Sequence, residues 1–268
     1  MQASANKRDS LAWESHYSLL SDPERLGFAS SIVSQQRVTR QRILKRELAK
    51  IGKSAKVAEL GCGEALDLAS LSGADVEMLL AVDYSPTGCS IARDNTRNAQ
   101  QTTVIRADIT RLPFIDEALD FVFSSGVLEH FENPHEATKE YVRILHRRGK
   151  VVTFVPNRSS LWSVYRHLRE ILSPYLPFVP PWPVWEMSFT MSEMDLLMME
   201  SGFEIEESFG VFISHVLIPL ELLVKKIGGD LWRTRFGRAL RTLVARFERN
   251  SFLCNLLGME ICQIAHRA

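Results

Sequence analysis

Five short apolar runs recur up to residue 155, at 56–60 (KVAEL), 79–83 (LLAVD), 103–107 (TVIRA), 119–124 (LDFVFS) and 150–155 (KVVTFV). Between them, 64–72, 86–98 and 133–147 carry apolar residues at helical spacing. A strand that is followed by a helix before the next strand must cross over, so its successor runs parallel. The alternation therefore restricts this chain to an α/β fold, a mostly parallel sheet with helices on its faces. Residues 30–52, with Ile32, Val33, Ile43, Leu44 and Leu48 set among Arg, Lys and Gln, predict an amphipathic helix before the first strand. Gly149, after the basic turn His146-Arg147-Arg148, reads as the stop of a helix, with the fifth strand beginning beyond it.

After Pro156 the rhythm breaks. Residues 157–189 are rich in Pro and aromatic residues (PYLPFVPPWPVW), while 190–201 resume a helix. Thr190 stands at the N-cap of that helix, Glu193 at the capping-box spacing, and Gly202 at its end. Phe203–Ser208 and 259–265 read as closing strands, and 211–257 as mostly helical and apolar. The divisions expected are an N-terminal helical segment (1–52), a core (53–156), a lid insertion (157–189), a core helix and strand (190–210), a helical insertion (211–257) and a final core strand (258–268).

Composition narrows the function. The 32 basic and 32 acidic residues cancel, so no global field recruits nucleic acid. The four cysteines, Cys62, Cys89, Cys254 and Cys262, lack the spacing of a metal knuckle or disulfide framework and read as reduced thiols in a cytoplasmic protein, with no metal expected. The N-terminus has no apolar signal segment, and no long charge-free apolar run predicts a membrane span.

The chemistry concentrates at the ends of the apolar runs. In Val57-Ala58-Glu59-Leu60-Gly61-Cys62-Gly63-Glu64-Ala65 a strand enters a two-glycine turn and then a helix, whose free N–H groups suit an anionic or polar ligand. On its own such a turn is equally a tight connection. Asp83 closes the second run, where a carboxylate accepts from ribose hydroxyls, and Asp108 follows the third, where one accepts from an adenine amino group beside Ile109. Each acid taken singly is as well read as a helix cap or loop carboxylate. Together they outline an adenosine site at the carboxyl edge of a sheet.

The segments VAELGCGEA, AVDYS, RADITRLPFIDEALDFVFSSGVLEHF and VVTFVPN resemble the successive motifs of class I S-adenosylmethionine-dependent methyltransferases, in flavour nearest the ubiquinone and menaquinone enzymes and natural-product O-methyltransferases. The resemblance covers 55–157, and again 188–208 and 258–266. It implies a Rossmann-like doubly wound seven-stranded sheet, parallel save for one antiparallel strand at the edge region, with helical lid insertions. It also implies S-adenosyl-L-methionine as cofactor. Carried over by position, Glu59, Gly61 and Gly63 line the methionine and ribose end, Asp83 holds the ribose with Tyr84 beside it, Asp108 and Ile109 frame the adenine, and Ser125 touches the methionine moiety through its backbone. Ala65 departs from the family's frequent third glycine and is tolerable if its φ stays negative.

His130, in Leu128-Glu129-His130, is the candidate general base, with Glu129 beside it; packing or capping is the plain alternative. Trp162, Tyr165, Tyr175, Phe178, Trp182 and Trp185 predict a mobile lid over an apolar pocket, hence a hydrophobic small-molecule acceptor methylated on oxygen. The basic, apolar stretch 211–257 packs on its own core or meets a membrane surface peripherally. Three functions stay open. They are a small-molecule methyltransferase (with a lipid, quinone or sugar acceptor as variants), a nicotinamide oxidoreductase, and a non-catalytic adenosyl-binding module. The second would need glycine where Leu66 stands. A nucleic-acid methyltransferase lacks its usual clamp, since Ser124-Ser125-Gly126-Val127 follows the fourth strand.

Overall fold

The computed structural model describes residues 14, 23–175, 186–212, 234–237, 239 and 251–268. Helix α1 (Pro23–Ile51) precedes β1 (Ala55–Leu60), α2 (Leu66–Ala69), β2 (Val76–Asp83), α3 (Pro86–Thr96), β3 (Thr102–Arg106), β4 (Leu119–Ser125), α4 (Pro134–Ile144) and β5 (Leu145–Pro156). Then come α5 (Leu161–Leu172), α6 (Met191–Ser201), β6 (Phe203–Val211), α7 (Ser251–Leu257) and β7 (Glu260–Arg267). The seven strands form one sheet in the order β3-β2-β1-β4-β5-β7-β6. β7 is antiparallel to both β5 and β6 and lies one strand in from the edge. The other pairings are parallel, as the alternation requires. Sequence order reverses across β1 and β4, which are neighbours in the sheet but not in the chain.

Both faces are covered, which explains why the central strands read as continuous apolar runs. On one face Ile43, Leu44 and Leu48 of α1 meet Val57, Phe121, Phe123, Val152 and Phe154. On the other, Tyr141 and Ile144 of α4 and Met194, Leu197 and Met198 of α6 meet Leu60, Val82, Val122 and Val151. Charge also fixes α1 in place. The Glu47 side chain, fully buried, pairs with Lys50 at 2.8 Å and with Lys150 of β5 at 3.0 Å. The expected capping box of α6 is formed, with Glu193 N–H donating to Thr190 Oγ1 and Thr190 N–H to Glu193 Oε2, and Gly202 ends the helix at φ 105°.

Three local expectations change. The helix read over 64–72 is four residues long, because the left-handed turn before it uses up the sequence. α4 ends at Ile144, and Gly149 lies inside β5. The β4–β5 register shifts between Leu119 and Phe121, and Arg148 beside it takes φ 67°. A Cβ on Gly149 would sit 2.9 Å from the His146 carbonyl oxygen, so this glycine serves close packing at a bulge and not a helix stop. Phe178, Trp182 and Trp185 lie outside the described residues, as does most of 211–257. Among the described residues no helix is long and apolar enough to cross a membrane.

α7 rests directly on β6. A Cβ on Gly210 would fall 1.8 Å from the Cys254 carbonyl oxygen, and the Gly210 N–H donates to Asn255 Oδ1 at 2.9 Å. Gly210→Ala must push the helix off the strand. We expect a loss of about 1–3 kcal/mol in unfolding free energy, measured by urea denaturation, and an unchanged midpoint would contradict this packing.

Candidate active site

The residues singled out from the sequence meet at the carboxyl ends of β1, β2, β3 and β4, around the crevice where strand order reverses. That crevice is where open α/β sheets take their ligands. Its floor is the Gly61–Ala65 turn. Gly61 (φ 70°), Gly63 (φ 48°) and Ala65 (φ 53°) are all left-handed. The N–H groups of Gly61 and Cys62 both donate to the Val82 carbonyl, at 2.8 and 2.9 Å. A Cβ on Gly61 would lie 2.5 Å from Val127 Cγ2, so only glycine lets the loops after β1 and β4 approach this closely. The negative φ expected for Ala65 is not what the turn adopts. A left-handed alanine costs roughly 1–2 kcal/mol, and Ala65 is fully buried in that state.

Asp83 clamps the turn. Its Oδ2 accepts the Gly63 N–H and its Oδ1 the Ser85 N–H, both at 2.8 Å. The acid expected to face a ribose thus also ties the β1 loop to the start of α3, where Ser85 caps the helix by accepting from Gly88 N–H. An ionised carboxylate offers about four acceptor positions, so these bonds do not exhaust its capacity. Tyr84 is partly exposed next to it, with the Arg106 guanidinium 5.9 Å from its ring centroid and Arg106 Nε donating to the Tyr84 carbonyl. Glu14, from the N-terminal segment, accepts from the hydroxyls of Ser85 and Thr87, which holds its carboxyl below the usual range.

Asp108 forms a tight turn in which Oδ1 accepts both the N–H (2.9 Å) and the hydroxyl (2.8 Å) of Thr110. Ile109 is buried against Leu80, Val82 and Leu112. Ser125 ends β4 with its hydroxyl oxygen buried and no partner. Glu59 is buried at the end of β1, where its Oε2 accepts the Leu68 N–H at 3.1 Å. Burial first, and the nearby Asp67 carboxylate second, push Glu59 well above the ordinary glutamate value. Arg40 of α1 ties this group together, 3.2 Å from both Asp67 and Glu260.

The turn after β4 (Leu128–His130) separates the two candidate bases. His130 is half-buried, whereas Glu129 is buried with its Oε2 unpartnered. Burial raises the Glu129 carboxyl well above the ordinary value of 4.5. The sequence put Glu129 forward beside His130 with the same packing alternative, since nothing in Leu-Glu-His says which side chain turns inward. The partners of its backbone were not legible at all. Its carbonyl accepts the Met187 N–H at 2.8 Å, which joins the β4 turn to the cover segment. A separate groove of about 430 Å³, lined in part by Lys45, Gly52, Gly73 and Asp75, lies beside the start of β2 and contains none of these residues.

A family model described as "Methyltransferase domain" matches residues 58–153, which span β1 to β5. Over β1 to β5 the chain is thus similar to methyltransferase domains. A "Probable S-adenosylmethionine-dependent methyltransferase" of Mycolicibacterium smegmatis is 25% identical over 201 residues, 75% of this chain and 71% of the relative. A demethylmenaquinone methyltransferase of Staphylococcus haemolyticus is 25% identical over 150 residues, covering 55% and 60%. Another relative is matched over only 35% of its length. Among solved structures, magnesium protoporphyrin IX methyltransferase from Synechocystis, with bound S-adenosylhomocysteine, superposes with a TM-score of 0.64 at 13% identity, covering 98% of this chain and 97% of that one. That likeness speaks for the fold.

Two outcomes check the geometry of this site. Ala65→Gly relieves the left-handed strain and should raise unfolding free energy by about 1 kcal/mol; a loss of stability would contradict the φ assigned here. Asp83→Ala releases two backbone N–H groups, so amide exchange at Gly63 and Ser85 should accelerate while that of β5 stays slow. Unchanged protection at both amides would remove the clamp.

Burial of Glu129 adds a pH signature. Its folded pKa lies above its unfolded one, so the native state binds more protons between them and stability falls as pH rises from about 4.5 through the raised value. Glu129→Gln should therefore gain stability relative to the parent across that window. A constant difference between pH 4 and 8 would contradict it.

Proposed function

We propose that this chain transfers the methyl group of S-adenosylmethionine to a small-molecule acceptor. The observation that carries the reading is the left-handed Gly61–Ala65 turn, clamped by Asp83 and abutting Val127, at the crevice where strand order reverses. The described residues fit the cofactor. Gly61 permits close backbone approach, Asp83 and Asp108 place carboxylates at the ends of β2 and β3, and Ser125 offers an unpartnered buried hydroxyl. Glu59, Gly61, Gly63 and Ser125 would hold the methionine end, Asp83 with Tyr84 the ribose, and Asp108 with Ile109 the adenine.

When bound, the cofactor supplies a methyl carbon already activated by its sulfonium. The protein's share is then positioning, exclusion of water and acceptance of one proton. The Gly61 turn and the Val127–Glu129 turn fix the two walls between which the reacting atoms would lie. α5 and 186–189 close the outer side.

The oxygen acceptor, the base His130 and a hydrophobic pocket were expected together. Half of the aromatic residues on which the apolar pocket rested lie outside those described, and what is described of the cover turns polar groups inward. Ser160, Ser163 and Arg166 of the α5 region are buried, while Tyr165, Leu168 and Ile171 are exposed. We therefore read the acceptor as a molecule with a polar reacting head. Cytoplasmic small-molecule biosynthesis is the setting we propose for it.

The test is incubation with methyl-labelled S-adenosylmethionine and panels of phenols, quinols, alcohols and amines, together with cofactor titration of variants. Labelled product from any panel supports transfer. Binding of cofactor with no transfer to any panel would favour the non-catalytic adenosyl-binding reading. Asp108→Ala should weaken S-adenosylmethionine on the order of 10-fold, equivalent to a lost charged hydrogen bond of about 1.5 kcal/mol. It should weaken an analogue lacking the adenine amino group much less; equal losses would displace Asp108 from the adenine.

A further inference from the structure

The wall beyond β4 and β5 is built from charge. Segment 186–189 runs beside the end of β5, with the Phe189 N–H on the Pro156 carbonyl at 2.9 Å and the Arg158 N–H on the Phe189 carbonyl at 2.8 Å. Arg166 of α5 is buried against it. It bonds Glu186 through Nη1 and the Ser188 hydroxyl through Nη2, and its Nε is left without a partner. Glu260, at the start of β7 opposite Pro156, pairs with Arg40 through Oε1 and has a buried, unpartnered Oε2. Glu129 faces this group from the β4 turn and feels the charges of Glu186, Glu260 and Arg166.

The count of charges decides what fits. Glu186 has Arg166, and Glu260 shares Arg40 with Asp67. Glu129 is a third carboxyl with no cation of its own and one buried bare oxygen. A buried, unpaired carboxylate is costly unless a cation or a proton meets it. An anionic acceptor would meet three carboxyls, and a purely apolar one would leave Glu129 Oε2 bare. We propose that Glu129 is the catalytic base of this site and that the acceptor head is a protonated amine, met by Glu129 with Glu186 and Glu260 beside it. The proposal rests on the methyltransferase reading above and names its substrate class.

The step balances. Ionised Glu129 first receives the ammonium as an ion pair and takes one N–H proton. The freed nitrogen lone pair forms the bond to the methyl carbon as the carbon–sulfur bond breaks. The bonding pair stays on sulfur, so the leaving group is neutral S-adenosylhomocysteine. The product leaves as the methylated ammonium, and the proton on Glu129 returns to water.

The test titrates phenethylammonium and the neutral 2-phenylethanol into the chain saturated with S-adenosylhomocysteine. We expect the ammonium to bind at least 10-fold tighter than the alcohol, the preference growing as pH rises and Glu129 ionises beside Glu186, Glu260, Arg166 and Tyr141. Glu129→Gln should abolish both the preference and its pH dependence, leaving the alcohol unaffected. Glu186→Gln, which keeps the Arg166–Ser188 bond, should reduce the preference several-fold and serves if the first variant does not fold. No preference in the parent chain, or a preference unchanged in either variant, overturns the proposal. So does a Glu129→Gln variant that weakens S-adenosylmethionine relative to S-adenosylhomocysteine with the probe pair unchanged, since the carboxyl would then serve the sulfonium. Failure of the parent to bind S-adenosylhomocysteine overturns the cofactor reading itself, and this proposal with it.

Discussion

One carboxylate holds the candidate site in shape. By accepting from Gly63 and Ser85 together, Asp83 fastens the loop after β1 to the helix after β2. Without it, three left-handed positions within one five-residue turn would have little reason to persist. A charge-assisted hydrogen bond to a backbone N–H contributes about 1.5–3 kcal/mol. Two of them offset the strain of a left-handed Ala65 with something left over. Val127 then closes on Gly61, and the β4 turn takes its place from that contact. The order of dependence runs from β2 to β1 to β4, which is also the order of strands across the crevice.

The fold was legible because burial on both faces writes itself into the central strands as nearly unbroken apolar runs, as in Phe121–Phe123 of β4 and Val151–Val155 of β5. The Thr190 capping box and the closing pair β6 and β7 were legible for the same reason, a local pattern with one physical solution. Gly149 was misread because a glycine after a basic turn has two solutions, a helix end and a bulge. The deciding contact, with the His146 carbonyl, depends on how β5 meets β4.

The site was legible only as far as strand ends go. Asp83, Asp108 and Ser125 fall where the alternation puts them. What the side chains do beyond that depends on partners distant in sequence. Arg40 reaches Glu260 from 220 residues away, and Met187 reaches the Glu129 carbonyl from beyond β5. No spacing rule links such residues. The inversion of α5, polar inside and apolar outside, likewise follows from what the segment covers and not from its own periodicity.

The account stands on the claim that the carboxyl edge of β1 to β4 is the cofactor's seat. Amide hydrogen exchange of the chain with and without S-adenosylhomocysteine tests it most directly. The account predicts slowed exchange at 59–65, 83–85, 108–110 and 125–129, with the groove around Gly52 and Gly73 unchanged. Protection centred on that groove, with the glycine turn unaffected, would contradict it.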